Sequence, residues 1–128
     1  PPEVFYEIKS FRFKMLHRRY RTTQNKTVYQ WYCENLVCRN VLLPSGEVTK
    51  QCRGNPSGQV STTMDNNMIN VFLQAFEFAY LNPELTDSEL WSEWARMDSL
   101  IYGDDRLSVI DRLPEDYTAR VVQMYKEI

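Results

Sequence analysis

An α+β fold, with helices packed on a small antiparallel hairpin sheet, is what this sequence predicts. Apolar residues recur at three- and four-residue steps over five separate stretches. Two pairs of short β-prone runs flank tight turns, at residues 44–46 and 103–105. Pro and Gly fall between the periodic stretches rather than in a linker run, so the 128 residues read as one continuous domain. With 43% hydrophobic content, such a chain can bury a modest core.

From Pro2 to Tyr20, Val4, Phe5, Ile8, Phe11, Met15 and Leu16 trace an amphipathic helix. Proline suits its first turn, and Arg18, Arg19 and Arg21 suit its C-terminal dipole. A second helix is expected from Thr27 to Arg39, with Val28, Trp31, Tyr32 and Leu36 toward the core. VLLPSGEVTKQ then reads as a hairpin about Pro44-Ser45-Gly46. Asn55-Pro56-Ser57-Gly58 is a loop, and Thr62 to Leu81 is the longest helix, ended by Asn82-Pro83 because the residue before proline is pushed out of helical geometry. Thr86 and Glu89 form a capping-box pattern for a helix from Asp87 to Met97, in which Trp91 and Trp94 are expected to pack. Residues 99–110 form the second hairpin, with Gly103-Asp104-Asp105 at its tip, and a last helix starts near Pro114, with Tyr117, Val121, Val122 and Tyr125 as its apolar stripe.

The net charge of −2 hides a marked asymmetry. Residues 1–56 carry ten Lys or Arg against four Glu, a balance of +6, while residues 57–128 carry five against thirteen, a balance of −8. Such a split suits one face for a polyanion and another for cations. No run approaches the ~18 apolar residues of a membrane span. Cys33, Cys38 and Cys52 are odd in number, which favours free thiols in a reducing compartment over a disulfide scaffold. With His17 they could supply four zinc ligands, but neither a CxxC nor an HxxxH spacing is present, and buried free thiols are the simpler reading.

Two stretches carry chemistry. Adjacent carboxylates at the tip of a tight turn, Asp104 and Asp105, repel one another unless a cation compensates, and magnesium takes one or two carboxylates while leaving positions to water and phosphates. Gly and Asp are also ordinary turn residues, so the tetrapeptide Tyr102-Gly103-Asp104-Asp105 taken alone favours a plain surface turn. Further upstream, Thr62, Asn66 and Asn70 follow the pliable loop at intervals of four, placing hydroxyl and amide groups along one helix face that either meets something polar or faces solvent.

Together, Ser57-Gly58-x-x-x-Thr62-x-x-x-Asn66 followed some forty residues later by Tyr102-Gly103-Asp104-Asp105 resembles motifs B and C in the palm of viral RNA-dependent RNA polymerases. The wider wording, GNPSGQVSTTMDNNMINVFLQAFEFAY with IYGDDRL after it and VLLPSGEVTKQ before, is similar to the astrovirus polymerases over nearly the whole chain. The resemblance implies a partial palm with some of the fingers: residues 54–81 as the motif B loop and helix, 99–110 as the motif C hairpin, and 114–128 as the start of the motif D helix. It implies RNA-templated nucleotidyl transfer to a 3′-hydroxyl by a two-metal mechanism, with Asp104 and Asp105 as catalytic and metal-binding residues and magnesium, or manganese, as cofactor. Ser57 and Asn66 would sense the ribose 2′-hydroxyl, Thr62 would hold that network in register, and Gly58 would let the loop move. Template and nascent RNA, ribonucleoside triphosphates and the remainder of a viral polyprotein are the implied partners, and replication complexes in the host cell cytoplasm the implied location.

Residues 1–64 contain no aspartate, whereas the family's motif A supplies a further metal-binding aspartate upstream. The expectation is therefore a polyprotein fragment that begins after motif A, is inactive alone and exposes a sheet edge where that strand would pair. Lys126 is not expected to be the family's general-acid lysine, which follows the motif D helix. Two other readings compete. A non-catalytic RNA-binding module would use the basic half, where Arg12 to Arg21 interleave with Phe11, Phe13 and Tyr20. A reverse transcriptase also carries paired aspartates after an aromatic residue, but selects sugars by a bulky gate rather than by a Ser57/Asn66 pattern.

Overall fold

The computed structural model describes residues 1–110 and 113–128. They are α+β: α1 (Pro2–Lys14), a 3₁₀ turn (Arg18–Tyr20), α2 (Thr23–Val37), β1 (Arg39–Leu42), β2 (Val48–Gln51), α3 (Thr62–Leu81), α4 (Asp87–Trp94), β3 (Asp98–Tyr102), β4 (Asp105–Val109) and α5 (Tyr117–Glu127). Two compact units divide the chain, Pro1–Asp65 and Asn66–Ile128, each with its own two-stranded antiparallel sheet.

In the first unit, α1 stops at Lys14, short of the expected Tyr20. His17 turns extended (φ −56°, ψ 140°), and its Nδ1 accepts from the Arg19 N–H at 3.3 Å, so the arginines sit in a separate 3₁₀ turn. α2 begins four residues earlier than expected because Thr22 is its cap, with Oγ1 accepting from the Asn25 N–H at 3.2 Å. Its buried residues are Cys33 and Val37, one helical turn apart, whereas Val28 and Trp31 are 60% and 64% exposed. The expected core face holds for Tyr32 and Leu36, both half-buried, and fails for Val28 and Trp31; Tyr29, not expected there, packs with Phe13 and with Tyr32. β1 and β2 pair from Arg39↔Gln51 to Leu42↔Val48. Gly46 N–H donates to Leu43 O, Leu43 N–H donates to Glu47 O, and Gly46 adopts φ +87°, the pattern of a type I turn closed by a left-handed glycine.

The centre of this unit is ionic. Asp65, fully buried in the first turn of α3, accepts from Lys9 Nζ at 2.6 Å, from Arg12 Nη1, from Ser61 Oγ at 2.9 Å and from Gln59 Nε2 at 3.0 Å. Lys9 is equally buried and lies over the rings of Phe5 and Tyr32. Burial alone would raise the Asp65 pKa, but the hydrogen bonds from Lys9, Arg12 and Ser61 outweigh it and hold the carboxyl below its usual range.

In the second unit, α3 ends at Leu81 as expected, and Asn82 Nδ2 donates back to Phe78 O at 2.8 Å. α4 carries the full capping box: Glu89 N–H donates to Thr86 Oγ1, and the Glu89 carboxylate accepts from the Thr86 N–H at 2.9 Å. Trp94 packs on Phe78, but Trp91 is 72% exposed, so the packing expectation holds for one tryptophan only. β3 and β4 pair from Asp98↔Val109 to Tyr102↔Asp105. Gly103 alone of the two turn residues has positive φ (+65°), which a two-residue turn of the II′ kind requires. Ser99, Ile101, Arg106 and Ser108 form the more buried face, while Leu100, Tyr102, Leu107 and Val109 are 67–76% exposed. α5 starts at Tyr117 after Asp116, which takes a left-handed conformation, and buries Met124.

Candidate active site at the acidic hairpin tip

The tip of the β3–β4 hairpin is fixed by one face of α3. Asn67, Asn70, Gln74 and Glu77 lie at steps of three and four, hence along one side of the helix. Asn67 Oδ1 accepts from the Gly103 N–H at 2.5 Å. Asn70 Nδ2 lies 3.1 Å from the Asp104 carbonyl and 3.4 Å from those of Gly103 and Asp105. Gln74 Nε2 donates to Ser99 Oγ at 2.6 Å and Ser108 Oγ at 2.7 Å, tying both strands. Glu77, buried, takes Arg106 through both carboxylate oxygens and accepts from Tyr125 Oη at 2.6 Å. Burial and then the Glu77 hydrogen bond push the Tyr125 phenol well above its ordinary range, so it stays protonated and donating. Arg106 is also raised: Glu77 more than offsets the burial that would lower it. Every buried polar group on this face therefore has a partner, as a rigid platform needs.

Beside the tip is a cleft of about 430 Å³ whose walls include Asn66, Asn70, Asp104, Asp105 and Tyr125. The sequence-singled residues Asn66, Asp104 and Asp105 are thus brought together. Both aspartates are exposed, and among the described residues neither side chain is held by a hydrogen bond or ion pair. Ser57, Gly58 and Thr62 belong to the first unit. There Ser57 is exposed, and Gly58 has φ +81° with open space where a Cβ would point, so backbone conformation rather than crowding demands glycine. Thr62 Oγ1 donates to Pro56 O at 2.7 Å and Gln59 O at 3.1 Å, closing the loop back on the start of α3.

The donor set fits a hard divalent cation. Two adjacent carboxylates are the protein share that magnesium usually takes, with water and phosphate oxygens completing six-fold coordination. Among the described residues no third His, Cys, Asp or Glu joins them, and no cluster of such groups fits zinc. Asn67, Gln74 and Glu77 were not singled out from sequence, although their signal was there: with Asn70 they are four polar residues at helical spacing in α3, the most apolar helix among the described residues. Tyr125, expected in the apolar stripe of the last helix, instead donates to Glu77.

Over residues 1–128 the chain matches the model of the viral RNA-dependent RNA polymerase family, and it belongs to that family. Among its relatives are the non-structural polyprotein 1AB of mink astrovirus 1 (59% identical over the whole chain), of ovine astrovirus 1 (57%) and of human astrovirus-4 (52%). The chain spans 9%, 10% and 9% of those polyproteins, respectively. No solved structure matches the chain. Among the described residues no helix is long and apolar enough to cross a membrane.

Proposed function

We propose that these residues form the metal-binding and ribose-sensing part of an RNA polymerase that copies RNA by nucleotidyl transfer. The observation that carries the reading is the shared cleft: two exposed carboxylates and the Asn66 amide line one cavity beside a braced turn. Asp104 and Asp105 would hold divalent cations, magnesium or manganese. Such ions supply charge stabilisation for an attacking 3′-hydroxyl and a pyrophosphate leaving group. Asn66 offers both a donor and an acceptor to a ribose 2′-hydroxyl, as discrimination of RNA from DNA precursors requires. Ser57 would share that task, Thr62 would keep the loop anchored to α3, and Gly58 would permit its movement. Asp104 sits in the turn whereas Asp105 opens β4, so the two carboxylates leave different backbone settings and their roles would be unequal.

Template and nascent RNA, ribonucleoside triphosphates and the rest of a polyprotein are the partners this reading requires, in replication complexes of the host cytoplasm. No aspartate lies in residues 1–64, so further acidic ligands would come from beyond these elements. Of the basic run that an RNA-binding module would use, Arg12 is engaged by Asp65, whereas Lys14, Arg18, Arg19 and Arg21 are exposed. The test is substitution within an astrovirus polymerase carrying this segment. Asp104→Asn should reduce incorporation by at least a hundredfold, while Asn66→Ala should chiefly erode preference for ribonucleotides over deoxyribonucleotides. Incorporation untouched by Asp104→Asn would refute the proposal.

A further inference from the structure

The open end of the β1–β2 hairpin carries two facing thiols. Leu43 N–H donates to Glu47 O at 2.8 Å, and the register runs Leu42↔Val48, Val41↔Thr49, Asn40↔Lys50 and Arg39↔Gln51. Hydrogen-bonded and non-hydrogen-bonded pairs alternate in an antiparallel ladder, so Arg39↔Gln51 is of the first kind. The next position, Cys38 opposite Cys52, is of the second, where facing Cα atoms approach to about 4.5 Å. A disulfide spans roughly 4.4–6.8 Å between Cα atoms, so this site accepts one without backbone rearrangement. Cys38 is extended (φ −100°, ψ 100°), continuing the strand beyond its last paired residue. The neighbouring Cys52 thiol pushes the Cys38 thiol up from its ordinary pKa, while Lys50 acts in the opposite sense. Both thiols are exposed, whereas Cys33 is buried.

The geometry points to Cys38 and Cys52 as a reversible dithiol–disulfide site that closes the base of the hairpin and tethers the start of the 54–58 loop. Arg39 already straps this region, donating to Gln51 Oε1 at 2.6 Å and to Gly54 O at 3.1 Å. Gly54 and Gly58, both at positive φ, leave the intervening backbone its freedom. A covalent bond two residues before Gly54 would shorten the loop from one side. With hydrogen peroxide as oxidant, one thiol loses its proton, its thiolate attacks a peroxide oxygen to give sulfenic acid, and the displaced hydroxide takes up that proton and leaves as water. The second thiol then attacks that sulfur, forming the S–S bond as a second water departs, and a dithiol reductant restores the pair by exchange. In a reducing compartment such a bond is transient, which makes it a sensor rather than a scaffold.

The pairing does not rest on the polymerase reading, and neither does its test. The 128-residue chain is treated with limiting hydrogen peroxide and mapped as peptides without reduction. The expected product is a monomer in which the Cys38 and Cys52 peptides are joined, Cys33 remains a free thiol, and Cys38→Ser abolishes the link. Separate sulfinic acids on the two cysteines, bridges to Cys33, or dimers linked through Cys38 would overturn the site. Amide hydrogen exchange over residues 54–58 should slow severalfold on oxidation and recover with dithiothreitol. Exchange unchanged by a formed disulfide would overturn the tether.

Discussion

Replacing Asp65 by asparagine removes one negative charge from a site where Lys9 has nowhere else to go. The Lys9 side chain is 2% exposed, its ammonium is 2.6 Å from Asp65 Oδ2, and its other polar partner is Ser61 Oγ at 3.0 Å. Taking away one member of a buried ion pair typically costs about 3–5 kcal/mol, because the other charge is left desolvated. Asparagine keeps one acceptor oxygen, which places Asp65→Asn near the lower end, about 3 kcal/mol, and Asp65→Ala near the upper. Arg12 adds little, since its side chain is 31% exposed and can turn to water. A loss of that size lowers the thermal midpoint of a domain this long by on the order of 10 °C. Combining Asp65→Asn with Lys9→Met removes both charges at nearly constant volume and should recover most of the loss. Thermal and urea unfolding of the four chains in the cycle measure this. An Asp65→Asn cost under about 1 kcal/mol, or strictly additive single effects, would refute the claim that Lys9 depends on Asp65.

The same cluster sets an acid limit. The Asp65 pKa is depressed in the fold, so its contribution is complete above the unfolded value of about 3.9 and is lost as pH falls through the lower folded value. Unfolding midpoints of the native chain should therefore drop below about pH 4 more steeply than those of the Lys9→Met/Asp65→Asn chain, and parallel curves would contradict the assignment. At the hairpin tip, Asn67→Ala leaves the half-buried Gly103 N–H without its acceptor and should cost about 1–3 kcal/mol. Asn70→Ala should cost less, about 0.5–1.5 kcal/mol, because its bonds to the Asp104 and Asp105 carbonyls are exposed. Within an active polymerase both should lower single-turnover incorporation roughly 10- to 100-fold, since displaced carboxylates lose alignment. Faster amide exchange at residues 102–105 with unimpaired incorporation would show that the clamp does not position the site.

Local signals in the sequence sufficed wherever one residue decides an element. Thr86 with Glu89 marks the start of α4, Asn82-Pro83 the end of α3, and Pro44-Ser45-Gly46 and Gly103 the two turns, because capping and positive φ are short-range constraints. Apolar periodicity was less decisive. It carried α1 through Tyr20, but the extended His17 breaks the helix, and no rule of spacing announces that. It assigned Val28 and Trp31 to the core because both are large and apolar, whereas the face actually buried is set by the small Cys33 and by Val37. The paired aspartates were legible as a site only in combination with the upstream loop. The ion cluster was not legible, since Lys9 and Arg12 both lie more than fifty residues from Asp65 in sequence and each alone reads as a solvated charge.

The polar residues of α3 explain why the acidic tip can be both exposed and well defined. A two-residue turn bearing adjacent carboxylates has little of its own to hold it, and the apolar face of its hairpin, Leu100, Tyr102, Leu107 and Val109, is turned away from the helix. What the hairpin presents to α3 is largely polar, and α3 answers with an amide for the turn N–H, an amide for the turn carbonyls, an amide bridging two serines and a carboxylate for Arg106. An apolar contact would tolerate sliding by a fraction of a residue, but these directional bonds do not. Register is thereby fixed at the tip, and Asp104 and Asp105 are left with their oxygens available to solvent. Apolar burial would have hidden the carboxylates or raised their cost in the charged state. A hydrogen-bonded platform places them at a cleft without either penalty, which is the requirement for any site that must capture cations from water.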